Sequence, residues 1–184
     1  MDSLEALYKK CASCQGCELH KTRTNTVFGY GNECADLMFV GEAPGEQEDL
    51  KGIPFIGRAG QLFDKFLDEI GIKREDVYIA NILKCRPPKN RDPLPSEEDA
   101  CIDFLYSQIQ IIKPKLVVCL GRISAMRLIK PDFKITKEHG IWFDKGEYKM
   151  CAVYHPALLL RDPRKKGEMS ADMAKIKEVL DKLR

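Results

Sequence analysis

No stretch of this 184-residue chain is apolar for long enough to cross a bilayer, and its acidic, cysteine-bearing start does not read as a signal peptide. The expectation is a cytoplasmic protein with no membrane contact. Surplus charge is missing too: a formal net charge of +2 means that no global basic field announces a nucleic-acid partner. Any such surface must be local. Repeats, low-complexity tracts and linkers are absent, and there is a single tryptophan, Trp142. What remains is enough chain for one domain, 1–184, able to bury a core without covalent staples.

Cysteine is not scarce. Eight are many for a reducing compartment, which turns attention to metal ligation or burial rather than disulfides. Leu4 and Leu7 share one face of a short helix over Ser3–Lys10, which leads into Cys11, Cys14 and Cys17 at Cys-x-x-Cys-x-x-Cys spacing. Such a run brings thiolates within reach of one centre. Cys34, Cys119 and Cys151 lie in or beside apolar segments and read as core.

Leu37 to Val40 forms an apolar run closed by Gly41, Pro44 and Gly45, the pattern of a buried strand ending in a sharp turn. Leu62, Phe63, Phe66, Leu67 and Ile70 recur at helical spacing and stop at Gly71. Val77–Leu83 is a second strand. Ser96 and the acids after it open a helix that carries Cys101, Leu105 and Ile109. Leu116–Leu120 and Met150–Tyr154 are two further strands; a short helix over Arg122–Ile129 and an irregular stretch or small hairpin over Thr136–Lys149 separate them. A helix from Asp172 to Leu183 closes the chain. Strand and helix alternate, which predicts a three-layer α/β/α sandwich around a four-stranded parallel sheet. All strand ends then share one rim, where ligands bind in such folds.

The rim residues are Gly41-Glu42-Ala43, Asn81, Gly121 and His155. An unpaired buried amide costs about 1–3 kcal/mol, so Asn81 needs partners: a loop that it caps, or a ligand. The edge of a nucleobase would suit it, with an acceptor and a donor side by side. His155 before Pro156 is structural or proton-handling, and Phe55 is core or a stacking platform. Two basic clusters, Lys84/Arg86/Lys89/Arg91 and Arg161/Arg164/Lys165/Lys166, are solvated surface or phosphate contacts.

Gly41-Glu-Ala-Pro-Gly45 with Glu48-Asp49, Pro54-Phe-Ile-Gly57, Asn81-Ile-Leu-Lys-Cys-Arg-Pro-Pro88 and His155-Pro-Ala-Leu-Leu-Leu-Arg161 occur in this order. Together they resemble the iron-sulfur family 4 uracil-DNA glycosylases, from about Cys14 to Leu180. The resemblance implies a single uracil-DNA glycosylase domain with an N-terminal cluster-binding segment. The implied activity is DNA repair: uracil is flipped out and its N-glycosidic bond hydrolysed, which leaves an abasic site. Phe55 would stack on the base and Asn81 would bind its N3-H and O4. Gly41 and Ala43 would wall the site, with the Ala43 backbone and His155 holding O2. Glu48 is the candidate for excluding thymine. Cys14, Cys17, Cys85 and Cys101 would ligate a [4Fe-4S] cluster, with zinc as the rival metal and Cys11 as a rival ligand.

Non-iron uracil glycosylases look to have an Asp where this chain has Ala43, so the water-activating group cannot be carried over. Glu42 is the first choice and Asp49 the second, and a cation-like sugar transition state needs little help from a base. Leu159 is the expected wedge into the vacated stack, with Leu158 and Leu160 as substitutes. Arg86, Lys89 and Arg161 are the expected phosphate contacts. The partner is uracil-containing DNA, single- or double-stranded, met by a monomer, and a sliding clamp is a candidate partner. The alternatives are a non-turnover uracil-DNA binder of the same superfamily and an iron-sulfur electron carrier. No basic insertion interrupts Gly57–Gln61 as in the binders, and a carrier has no use for a base-shaped pocket.

Overall fold

The computed structural model describes residues 3–184. In chain order the elements are α1 (Leu4–Ala12), β1 (Tyr30–Gly31), β2 (Leu37–Gly41), α2 (Glu46–Lys51), α3 (Arg58–Glu69), β3 (Tyr78–Asn81), α4 (Pro95–Ile112), β4 (Leu116–Leu120), α5 (Arg122–Leu128), α6 (Ile135–Glu138), β5 (Phe143–Asp144), β6 (Lys149–Val153), α7 (Pro156–Arg161) and α8 (Lys166–Leu183). The sheet order is β1-β3-β2-β4-β6-β5.

The four expected strands form its parallel centre. The expected count of four is corrected to six by β1 and β5, two-residue strands that pair antiparallel at opposite edges. Neither is long enough to show alternation. β1 also depends on Gly31, whose φ is +131° and where a Cβ would stand 2.0 Å from the Val77 carbonyl oxygen. β5 and β6 pair Asp144 with Lys149, which turns the stretch after Thr136 into a small hairpin.

The central strands are buried on both faces and alternate between two cores. Met38, Val40, Val117, Cys119, Met150 and Ala152 face α1, α4 and α5. Leu37, Phe39, Val118, Leu120, Cys151 and Val153 face α3, α7 and α8. This period of two is what a sheet covered on both sides requires. Ser3 caps α1, its side chain accepting from the Ala6 N–H at 3.1 Å; Glu97 closes the start of α4 by accepting from the Leu94 N–H at 3.0 Å.

The register puts Gly41 beside Asn81 and Leu120 beside Val153, so the C-terminal ends of all four parallel strands lie on one rim. From β2 the chain steps to β3 on one side and later to β4 on the other. The crevice between β2 and β4 is therefore a topological switch point.

Candidate functional site

At that rim a cavity of about 1000 Å³ is lined by Glu42, Ala43, Glu48, Phe55, Asn81, Gly121 and His155, among others. Gly41 lies behind two of these residues. A Cβ there would stand 2.5 Å from Asn81 Oδ1 and 2.5 Å from Phe55 Cζ, so glycine is what allows the ring and the amide to approach each other. The Phe55 ring centroid lies 5.6 Å from that of His155, at 34° to it. The four rim positions read from the sequence thus converge.

Asn81 is 1% exposed, and its Oδ1 has no hydrogen-bond partner. A loop-capping amide would be bonded to its loop. This one caps no loop and its oxygen is free to accept from a group that enters the cavity, where leaving it unpaired would cost about 1–3 kcal/mol.

Phe55 has φ = +52°, a left-handed conformation costing about 1–3 kcal/mol for a residue of this size. Its support was not legible in the sequence. The Arg74 guanidinium donates to the Phe55 carbonyl at 2.6 Å and to the Pro54 carbonyl, and is itself held by Asp64 at 2.9 Å. Gly60 completes the seat, since a Cβ there would overlap the Phe55 carbonyl oxygen.

His155 caps α7. Its Nδ1 accepts from the Ala157 N–H at 3.0 Å, so the ring proton sits on Nε2. Burial, followed by the charge of Arg161, pushes its pKa down to about 4, which keeps the imidazole neutral at pH 7. Gly121, with φ = +95°, lies against it; a Cβ there would stand 2.9 Å from the His155 Cβ.

The two carboxylates considered for water activation part ways. Burial raises Glu42 to about 7, assisted by the negative charge of Asp92 and opposed by Arg122. Asp92 and Arg122 pair at 3.0 Å and also line the cavity. Asp49 is instead 4% exposed and accepts from the N–H groups of Thr24 at 2.9 Å and Asn25 at 3.2 Å. It ties down that segment and is not free to act as a base. Glu48 fills the wall between Gly45 and Gly57, where a Cβ would stand 3.4 and 3.6 Å from its Oε2.

Two expectations are corrected. Leu159 is fully buried in the core shared with α3 and cannot enter a base stack, whereas Leu160, one residue on in α7, is 39% exposed and lines the cavity. Lys84 is 1% exposed and cannot reach a phosphate. Arg86 bonds Asn90 at 2.6 Å, Arg91 is held by Glu97 at 2.5 Å, and Lys89 and Arg161 are exposed.

On the opposite side of the Asn81–Cys85 turn a second cavity is lined by Cys14, Cys17, Cys85 and Cys101, with Cys11 also in its wall. Three N–H donors reach three of these sulfurs, each at 3.3 Å: Gly16 to Cys14, Arg23 to Cys85 and Lys84 to Cys101. Among the described residues no three His, Cys, Asp or Glu side chains converge as around a single ion. Four thiols lining one cavity, three of them met by N–H donors, are a donor set that thiolate-held iron-sulfur groups use. Burial pushes Cys101 up to about 11 and Cys11 up to about 12, each partly offset by Lys84.

The chain's residues 28–184 match the family model described as the Uracil DNA glycosylase superfamily. A protein of Archaeoglobus fulgidus named Type-4 uracil-DNA glycosylase is 46% identical over 99% of this chain and 96% of its own. Proteins of the same name from Thermotoga maritima and Sulfurisphaera tokodaii are 46% and 44% identical, over 86% and 97% of this chain and 84% and 86% of theirs.

Proposed function

The chain belongs to the uracil-DNA glycosylase superfamily as a type-4 member, and we propose that the rim cavity is where it receives a uracil flipped out of DNA. It is a hydrolase of N-glycosyl bonds that excises uracil in DNA repair. One observation carries the assignment of the site: the buried, unpartnered Asn81 Oδ1 beside the Phe55 ring, with Gly41 below both.

In this reading the base stacks on Phe55. Asn81 Oδ1 accepts from N3-H and its Nδ2 donates to O4, while O2 is met by His155 Nε2–H and the backbone N–H groups near Ala43. The bond from N1 to C1′ breaks with its electron pair moving onto the uracil ring, where O2 carries much of the charge. Neutral His155 donates a hydrogen bond to that oxygen, and because the imidazole is placed before the bond breaks, little reorganisation accompanies the step. The remaining positive character at C1′ is met by water, whose proton passes to Glu42. Glu48 crowds the C5 side against a methyl group. Leu160 enters the gap in the stack, and Arg86, Lys89 and Arg161 contact phosphates.

Cys14, Cys17, Cys85 and Cys101 would hold the [4Fe-4S] cluster, which when bound supplies a cross-link between the N-terminal segment, the turn after Asn81 and α4.

The test is incubation with a single-stranded oligonucleotide bearing one uracil, followed by alkali. Scission at that position is expected. A heat-stable complex without scission would instead favour a binder.

A further inference from the structure

Lys84 takes no part in the mechanism above, yet its placement is unusual. It is 1% exposed, and its ammonium donates to the backbone oxygen of Asn81 at 3.0 Å and to Gln108 Oε1 at 2.6 Å. Gln108 is fixed in turn, its Nε2 donating to the Phe28 carbonyl at 2.8 Å and to the Tyr78 hydroxyl at 3.1 Å. The remaining side of the ammonium faces the Phe28 ring, 5.8 Å from its centroid. Both oxygen partners are neutral. A buried cation held by neutral groups is costly, and a methionine would fill the same volume at less expense. Its charge therefore calls for an anion to serve.

Two anions are near. One is the thiolate set, since Lys84 lines the cysteine cavity. The other forms on the far side of Asn81, when uracil departs with the electron pair of the broken bond. Resting on the reading of Asn81 as the residue that binds the base, we propose that Lys84 is a positioning residue for glycosidic cleavage. It fixes Asn81 from behind and, as a buried positive charge one residue from the base, stabilises the departing uracil anion. It bonds Asn81 directly, at 3.0 Å and from a position 1% exposed, so its field acts in a low-dielectric path.

The proposal is tested through leaving-group dependence, which a structural role would not move. Single-turnover rates are measured on single-stranded oligonucleotides carrying either uracil or 5-fluorouracil, whose ring fluorine makes it the better leaving group. In Lys84→Met the uracil rate is expected to fall about thirtyfold, equivalent to about 2 kcal/mol, and the 5-fluorouracil rate less than fivefold. Iron and acid-labile sulfide per chain should stay at the wild-type level. Gln108→Glu supplies a second arm: it keeps the Lys84–Asn81 contact and cancels the charge, and the ratio of the two rates should widen in the same direction. If Lys84→Met does not fold, Gln108→Glu decides.

Equal losses on both bases would overturn the proposal, as would loss of iron accounting for the whole effect. Failure of the wild-type protein to cleave either base would instead sink the glycosylase reading itself.

Discussion

The base cavity and the cysteine cavity are built on opposite sides of one five-residue turn, Asn81 to Cys85, and they are finished differently. On the cysteine side, three sulfurs already receive N–H donors, and the wall is otherwise largely apolar. On the rim side, Asn81 Oδ1 has no partner, Phe55 is held left-handed and Glu42 is raised to about 7. The first arrangement favours rigidity. The second stores local cost that a bound base would relieve, which is how a reactive site differs from a structural one. Replacing residues on the rim side should therefore cost activity but not stability, and replacing those on the cysteine side should cost stability first.

The largest effect is expected from Asn81→Leu. Uracil excision should fall by about 10³-fold, on the scale of losing a preorganised site donor, while the melting temperature holds or rises because a buried unsatisfied oxygen is gone. A fall in melting temperature would show that Asn81 supports the fold. On the other side, Cys85→Ser should lose iron, lower the melting temperature and weaken DNA binding; unchanged DNA affinity in the cluster-free protein would separate the cavity from the basic loop.

Next comes Glu42→Gln, with a loss of about 10- to 10²-fold, at the low end for a general base. Only the ionised carboxylate can take a proton, so the wild-type rate should rise with pH through about 7 and the Glu42→Gln rate should not. Stability runs the other way. A carboxyl whose folded pKa is raised from 4.5 to about 7 is protonated in the folded state where the unfolded chain has lost its proton, so it destabilises the fold as pH rises through that window. Glu42→Gln should therefore melt higher than wild type at pH 8 and no higher at pH 4.

The smallest contrast lies between neighbours. Leu159→Ala should cost about 2–5 kcal/mol of stability as a buried core truncation, whereas Leu160→Ala should leave stability unchanged. Leu160→Ala should slow excision from double-stranded DNA several-fold more than from single strands. Equal slowing on both would remove Leu160 as the wedge.

The parallel centre of the fold was legible because each strand is a compact apolar run closed by a turn residue or a polar residue. The two edge strands were not, since two residues carry no period. Gly41, Asn81 and His155 stood out because a glycine, an amide and an imidazole interrupt apolar runs at strand ends, whereas Phe55, in a loop between Pro54 and Ile56, read equally well as core. Lys84 was misplaced for the converse reason: a lysine beside Arg86 and Lys89 looks the same in sequence whether its stem points to solvent or to Gln108, 24 residues further on. Arg74 gave no signal at all, because its partners are backbone carbonyls 19 and 20 residues earlier in the chain. Leu159 and Leu160 differ only in the phase of a six-residue helix, which no composition encodes.

Gly41 also acts as a gauge. Since a single added carbon would strike both the Asn81 amide and the Phe55 ring, the clearance beneath the base is set by an atom the chain omits. Any substitution there should blind the site while leaving the sheet intact, so a Gly41→Ala protein is expected to fold, still meet DNA and no longer read it.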